Sequence, residues 1–244
     1  MLTSLLQGRE RPRFFQGQMI TPADLTQIEH YFLAWRRRHN RLMHGWGVVA
    51  GGWVSQDPKD PARVIVAPLF CLSPQGDEIV VEQSMSIDVR TEGISDVGPC
   101  TDPSDPWCTE VQVQRSAEQV LYIAVRYEER PTRPVRAPAV GCDLGAGCEY
   151  SRFADGYVIG VLTTLPASYG AALVPPELAR SIGGVPAGPL PAPDPRPLPA
   201  IISDPWVILA TVKLKVDAVS IETIDCATER HYVAAFGEYF FVSP

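Results

Sequence analysis

RFFQGQMITPADLTQIEHYFLAWRRRHNRLMHGWGVVAGGWV, residues 13–54, joins a cleanly started helix to a glycine-rich apolar strand with almost no spacer. Thr21 can cap the helix, and Pro22 falls where a missing N–H costs nothing. Asp24 takes the third position of a capping box and sits near the positive helix end. Apolar or aromatic residues then recur at Leu25, Ile28, Phe32, Trp35 and Leu42, with His39 in the same register. This spacing of three and four predicts one narrow stripe along roughly 20 residues, about 30 Å of helix. Arg36, Arg37, Arg38 and Arg41 crowd the other faces, and Gly45 and Gly47 end the helix. The expected division is an N-terminal arm at 1–20, the amphipathic helix at 21–45, and a β domain at 46–244.

Two readings of the helix compete. In the first it lies on a sheet and its arginines are solvated. In the second it packs on another protein, because aromatic residues and arginine dominate interface cores. The second makes Phe14, Phe15, Phe32, Trp35, Arg36, Arg37, Arg38 and Arg41 the interface candidates. If the Trp35 indole is buried, truncating it to alanine costs about 3–5 kcal/mol.

Beyond the helix nearly everything reads as short strands. Residues 46–55 form a glycine-rich apolar strand. Residues 63–72 (RVIVAPLFCL) form another, leading through 73–77 into 78–83 as a hairpin. Residues 85–90 alternate, and 120–128 (VLYIAVRYE) is the strongest strand. A Pro/Gly/Cys loop at 130–150 precedes a strand at 156–165, and 206–216 with 220–225 make a closing hairpin around Asp217 and Ala218. The Pro/Gly-rich stretch 183–199, within an excursion at about 170–205, cannot pair inside a sheet. The aromatic tail 232–242 is expected to dock. The fold class is therefore mainly β, a β-sandwich or partly open barrel, with one N-terminal amphipathic α-helix packed on it.

Composition narrows the function. The 244 residues carry a formal charge of −7, with 45% hydrophobic content and a mean hydropathy of zero, as in a soluble globular protein. The acidity argues against a general nucleic-acid binder. No run reaches the ~18 apolar residues of a membrane span, and the opening MLTSLLQGRERPRFF lacks the apolar core of a secretory signal. The six cysteines are read as reduced and intracellular, with Cys71 a buried small hydrophobe. Cys100/Cys108 and Cys142/Cys148 lie in loops at spacings that do not match zinc ligands; a loop-stapling disulfide after release to an oxidising medium stays open.

Chemical motifs are weak. The chain has no Walker loop, nucleophile elbow, HExxH or dinucleotide fingerprint. His39 and His44 stand five apart, not at the i, i+4 spacing of a shared metal. Their simplest role, with Asn40, Gly45 and Gly47, is structural: hydrogen bonding to backbone at the helix-to-strand join. No catalytic residue, cofactor or metal is expected.

The pattern nevertheless resembles a family. Arg13, Phe14, Phe15, Gly17, Gln18, Thr21, Asp24 and Leu25 open the segment, and it continues through Arg37, Arg38, His39, Asn40, Arg41, His44, Gly45, Gly47, Val48, Val49 and Gly51. Further matches are 68–81 (PLFCLSPQGDEIVV), 121–129 (LYIAVRYEE) followed by Pro131 and Pro134, and 206–212 (WVILATV). Together they resemble a protein family encoded with phage-tail-like contractile injection systems. The departures are Ala50, Gly52 and Trp53, where Cys and Leu-Glu would be expected. The opening residues also resemble, more faintly, the N-terminal segment of type VI secretion baseplate adaptors and of phage receptor-binding proteins.

The resemblance implies a non-enzymatic particle component, specifically the cap adaptor that connects the terminal cap to the inner tube and sheath. It would form a homo-oligomeric, six-fold ring with heterologous contacts. The implied partners are cap, inner tube and sheath, with no nucleic acid and no membrane insertion. The implied location is a particle assembled in the cytoplasm and open to release outside the cell. Two alternatives are a baseplate adaptor or fibre-holding protein of the same particle, and a carbohydrate-binding β-sandwich module or hydrolase presenting Trp107.

Overall fold

The bend of the first strands organises the body. In the computed structural model, which describes residues 10–90, 119–136, 148–170, 202–215 and 220–233, the expected strand at 46–55 divides into β1 (Gly47–Gly51) and β2 (Val54–Gln56). The expected strand at 63–72 likewise divides into β3 (Arg63–Val66) and β4 (Leu69–Leu72), with Ala67 and Pro68 between them. The two breaks lie opposite each other. Gly51 and Gly52 carry φ of +70° and +69°, a backbone region that glycine enters without penalty. Hydrogen bonds from Gly52 N to Pro68 O and from Ala67 N to Trp53 O, each 2.9 Å, carry the ladder around the corner.

A third bent strand follows the same path. β5 (Glu78–Val81) pairs with β4, and β6 (Met85–Asp88) pairs with β3, so two three-stranded antiparallel sheets meet at the corner, in the orders β1-β4-β5 and β2-β3-β6. The expected β4–β5 hairpin is present, closed by Ser73–Asp77 backbone and side-chain bonds.

The third sheet has the order β10-β9-β7-β8, built from β7 (Val120–Arg136), β8 (Cys148–Leu162), β9 (Val207–Leu214) and β10 (Ile221–Asp225). β9 is central, and its apolar run is buried almost throughout, as a strand covered on both faces requires. Val48, Val66, Ile79, Leu121, Ile123, Val161, Leu209 and Val212 belong to a single core that draws on all three sheets. The mainly-β fold with one N-terminal helix matches the sequence reading, and none of the three sheets closes into a barrel.

The loop expected at 130–150 is corrected. β7 runs on to Arg136 and β8 begins at Cys148, so the two form a long ribbon, with Pro131 opposite Phe153 and Pro134 opposite Tyr150. β9 leaves β7 after Val125. Beyond that point, among the described strands, β7 pairs on one side only, the position where a strand tolerates proline. Residues 148–155 are all exposed, so this part of the ribbon stands clear of the core.

The C-terminal segment completes the corner. Val48 N donates to His231 O at 2.8 Å and Val233 N to Val48 O at 2.9 Å, a parallel addition to β1. Arg230 is buried and donates to the carbonyls of Gly52, at 2.9 Å, and Gly51. Tyr232 and Val233 dock as expected of the tail; the remainder of 232–242, the turn at Asp217 and Ala218, and the Pro/Gly-rich stretch 183–199 fall outside the described residues.

Candidate functional site

The helix α1 (Pro22–His39) starts as its sequence demands. Thr21 caps it with a complete capping box, in which Asp24 N donates to Thr21 Oγ1 at 3.3 Å and Thr21 N donates to Asp24 Oδ2 at 2.8 Å. Thr21 Oγ1 also donates to Asp24 Oδ2 at 2.7 Å, and this bond, with the one from Thr21 N, holds the Asp24 carboxyl below its ordinary range. A π-type turn, Asn40–His44, continues the helix to Gly45.

Among the described residues, the ion pair and side-chain hydrogen bonds that attach α1 to the β body come from its last turn and from Asn40 just after it. Arg37 forms an ion pair with Asp77, lies 3.8 Å from Glu129, and places its guanidinium 5.9 Å from the centroid of the Tyr127 ring. Asn40 is buried and donates to Gly76 O at 3.0 Å and to Glu78 Oε1 at 3.4 Å. Gly76 has φ of +98°, and a Cβ there would run into the Arg37 carbonyl. The helix end and the β4–β5 turn, separate motifs in the sequence, are thus one structural unit.

The rest of α1 stays open, and no residue of it is buried. Its aromatic stripe is turned outward: Phe32, Trp35, Leu25 and Leu42 are all exposed, Trp35 at 55%. Phe14 and Phe15 of the arm are exposed as well, Phe15 at 67%, alongside Met19 and Ile20. Arg36 is exposed, Arg38 and Arg41 are half-buried, and among the described residues Arg37 alone of the candidate arginines forms an ion pair with the body. The structure therefore brings Phe14 and Phe32 together, since both line one shallow depression with Arg11, Arg13 and Ile28, and sets Arg37 apart.

At the junction Asn40 does the bonding that the sequence reading assigned to the histidines. The His39 and His44 rings meet edge-on at 5.4 Å, and Trp35 lies 6.3 Å from His39. Among the described residues neither imidazole makes a hydrogen bond. Gly45 N bonds to Asn40 O at 3.1 Å, and Gly47 passes so close to the His231 backbone that no side chain fits.

The sequence reading missed an aromatic cluster beneath this junction. Trp46, Tyr169 and His231 have ring centroids 4.3–4.9 Å apart, and Tyr169 Oη accepts from Ile208 N at 2.6 Å. Burial holds His231 below its ordinary pKa. It also pushes the Cys71 thiol up to about 12, which suits the expected inert core cysteine. Also missed was a groove between α1 and the β7–β8 ribbon, lined by Glu29, Leu33, Arg36, Glu129, Phe153 and Asp155. Only the ribbon's extension past residue 128 creates it, and no local sequence signal marks that extension.

Among the described residues no three His, Cys, Asp or Glu side chains gather as a metal site, and no helix is long and apolar enough to cross a membrane. Cys148 is exposed at the start of β8, whereas Cys100, Cys108, Cys142 and Trp107 fall outside the described residues.

No family model matches the chain, and no curated protein matches it. Among solved structures it is similar to the crystal structure of TssK, with a TM-score of 0.38 and 11% identity over 89% of this chain and 41% of that one. The chain thus spans about two fifths of that structure's length. A likeness this distant carries no argument about function.

Proposed function

We propose that this chain is a non-enzymatic structural component of a phage-tail-like contractile injection system, acting as the cap adaptor between the terminal cap and the end of inner tube and sheath. The observation that carries the reading is the outward stripe of α1. A helix anchored at one turn by Arg37 and Asn40, with Phe32 and Trp35 facing solvent, has the build of a docking element on an independent β body. The resemblance of 13–54, 68–81 and 121–129 to the injection-system family supplies the kind of particle. In this reading Phe14, Phe15, Phe32, Trp35, Arg36, Arg38 and Arg41 meet neighbours, and Arg37 holds the helix that presents them. Copies form a ring following the six-fold symmetry of tube and sheath, assembled in the cytoplasm.

The test is purification of the tagged full-length chain from its native host, with mass spectrometry and cross-linking of what accompanies it. Cap, tube and sheath proteins are expected. Cross-links to spike or wedge proteins instead would move the chain to the baseplate end, and absence of any particle protein would end the reading.

A further inference from the structure

The groove between α1 and the β7–β8 ribbon is strongly acidic. Glu29 on α1 faces Glu129 and Asp155 on the ribbon, and an adjoining depression that shares Arg36 and Asp155 is lined by Glu78 of β5 and by Glu82 just beyond it. Against these five carboxylates, among the described residues, stand Arg36 and His30, which line the groove, and Arg37, 3.8 Å from Glu129. Exposed apolar surface lies among the charges, from Phe153, 67% exposed, and Val80, 52% exposed.

On the neighbouring flank of the same helix lies the opposite chemistry. The arm brings Arg11 and Arg13 beside Phe14 against Ile28 and Phe32. Its inner side is fixed by Gln27 Nε2 donating to Glu10 O at 3.3 Å and by a turn in which Gln18 N donates to Phe15 O at 3.2 Å. On its outer side Arg11, Arg13, Phe14 and Phe15 are all exposed among the described residues.

We propose that the basic, aromatic arm of one copy of this chain docks in the acidic groove of a second copy. The proposal deepens the ring element of the reading above and rests on it for the closed geometry. Charge complementarity points to a second copy as the occupant. The arm offers two arginines and two phenylalanines in five residues, and the groove offers carboxylates spaced around exposed Phe153 and Val80. Arginine beside aromatic rings is the composition of an interface centre. A contact between two different patches of one chain propagates head to tail and closes into a ring when the rotation allows.

Light scattering coupled to gel filtration, run on the full chain, reads the outcome. The wild-type chain is expected above monomer mass, falling toward monomer as salt is raised. Arg11→Glu with Arg13→Glu, and separately Glu29→Lys with Glu82→Lys, should each give monomers with unchanged circular dichroism. All four substitutions together should restore association, because the charges are exchanged rather than lost. Three results would each overturn the proposal: a monomeric wild type at every concentration, reversed variants that keep their mass, or a folded four-fold variant that stays monomeric. A monomer that still co-purifies with cap and tube proteins would remove this contact and leave the particle reading standing.

Discussion

Arg37 and Asp77, forty residues apart in the chain, form the ion pair that fastens the helix to the β4–β5 turn. Asp77 is buried and also accepts from Ser73 Oγ at 3.2 Å, whereas the Arg37 side chain is 33% exposed. Arg37→Ala would leave a buried carboxylate short of its cation. Stability is expected to fall by about 2 kcal/mol, less than for a fully buried pair because solvent reaches the guanidinium. Arg37→Lys should recover only part of this, since an ammonium lacks the planar fork. Urea denaturation of the three proteins measures the order.

Gly76 faces the same contact from the turn. Any side chain there must leave the left-handed region and clear the Arg37 carbonyl. Gly76→Ala should cost about 1–3 kcal/mol and speed hydrogen exchange along α1 while the amides of β9 keep their protection. Equal loosening of both elements would show that the helix is not separately attached.

Trp35 is exposed, so the loss of about 3–5 kcal/mol expected for a buried indole does not apply. Trp35→Ala should leave the melting temperature of the isolated chain within about 2 °C, a change of under ~0.5 kcal/mol. Under the proposed function, incorporation into particles drops. A large fall in Tm would place the indole inside the monomer.

His231 gives stability a pH dependence of definite sign. Its folded-state pKa lies below the ordinary 6.5 because burial disfavours the imidazolium. The unfolded chain therefore takes up the proton first, so stability is present above 6.5 and is lost as pH falls from 6.5 toward the folded value. His231→Gln should flatten this window. A second loss below pH 3.8 should remain, because Asp88, paired with Arg90 and Arg63, has a folded pKa held under that value. Thermal melts across the acid range would separate the two phases.

The parts legible in the sequence are those set by neighbours along the chain. Thr21, Pro22 and Asp24 announced the helix start, and Ser73 to Asp77 announced a hairpin, because capping and turn chemistry act over three or four residues. The corner at Gly51 and Gly52 was hidden, since an apolar run with two glycines reads the same whether it bends or continues. Prolines 131 and 134 argued for a loop, yet strand position decides their tolerance, and that depends on where β9 stops. Periodicity drew the stripe from Leu25 to Leu42 but could not say what it faces. Arg230, held by carbonyls 178 and 179 residues away, carries no local mark.

An 18-residue helix gripped at one end behaves as a lever about 27 Å long. A tilt of roughly five degrees pivoting at Asn40 would carry Thr21 through about 2 Å, leaving the sheets undisturbed. In the proposed ring, successive subunits would absorb small differences in spacing or angle at this pivot and leave their cores unstrained.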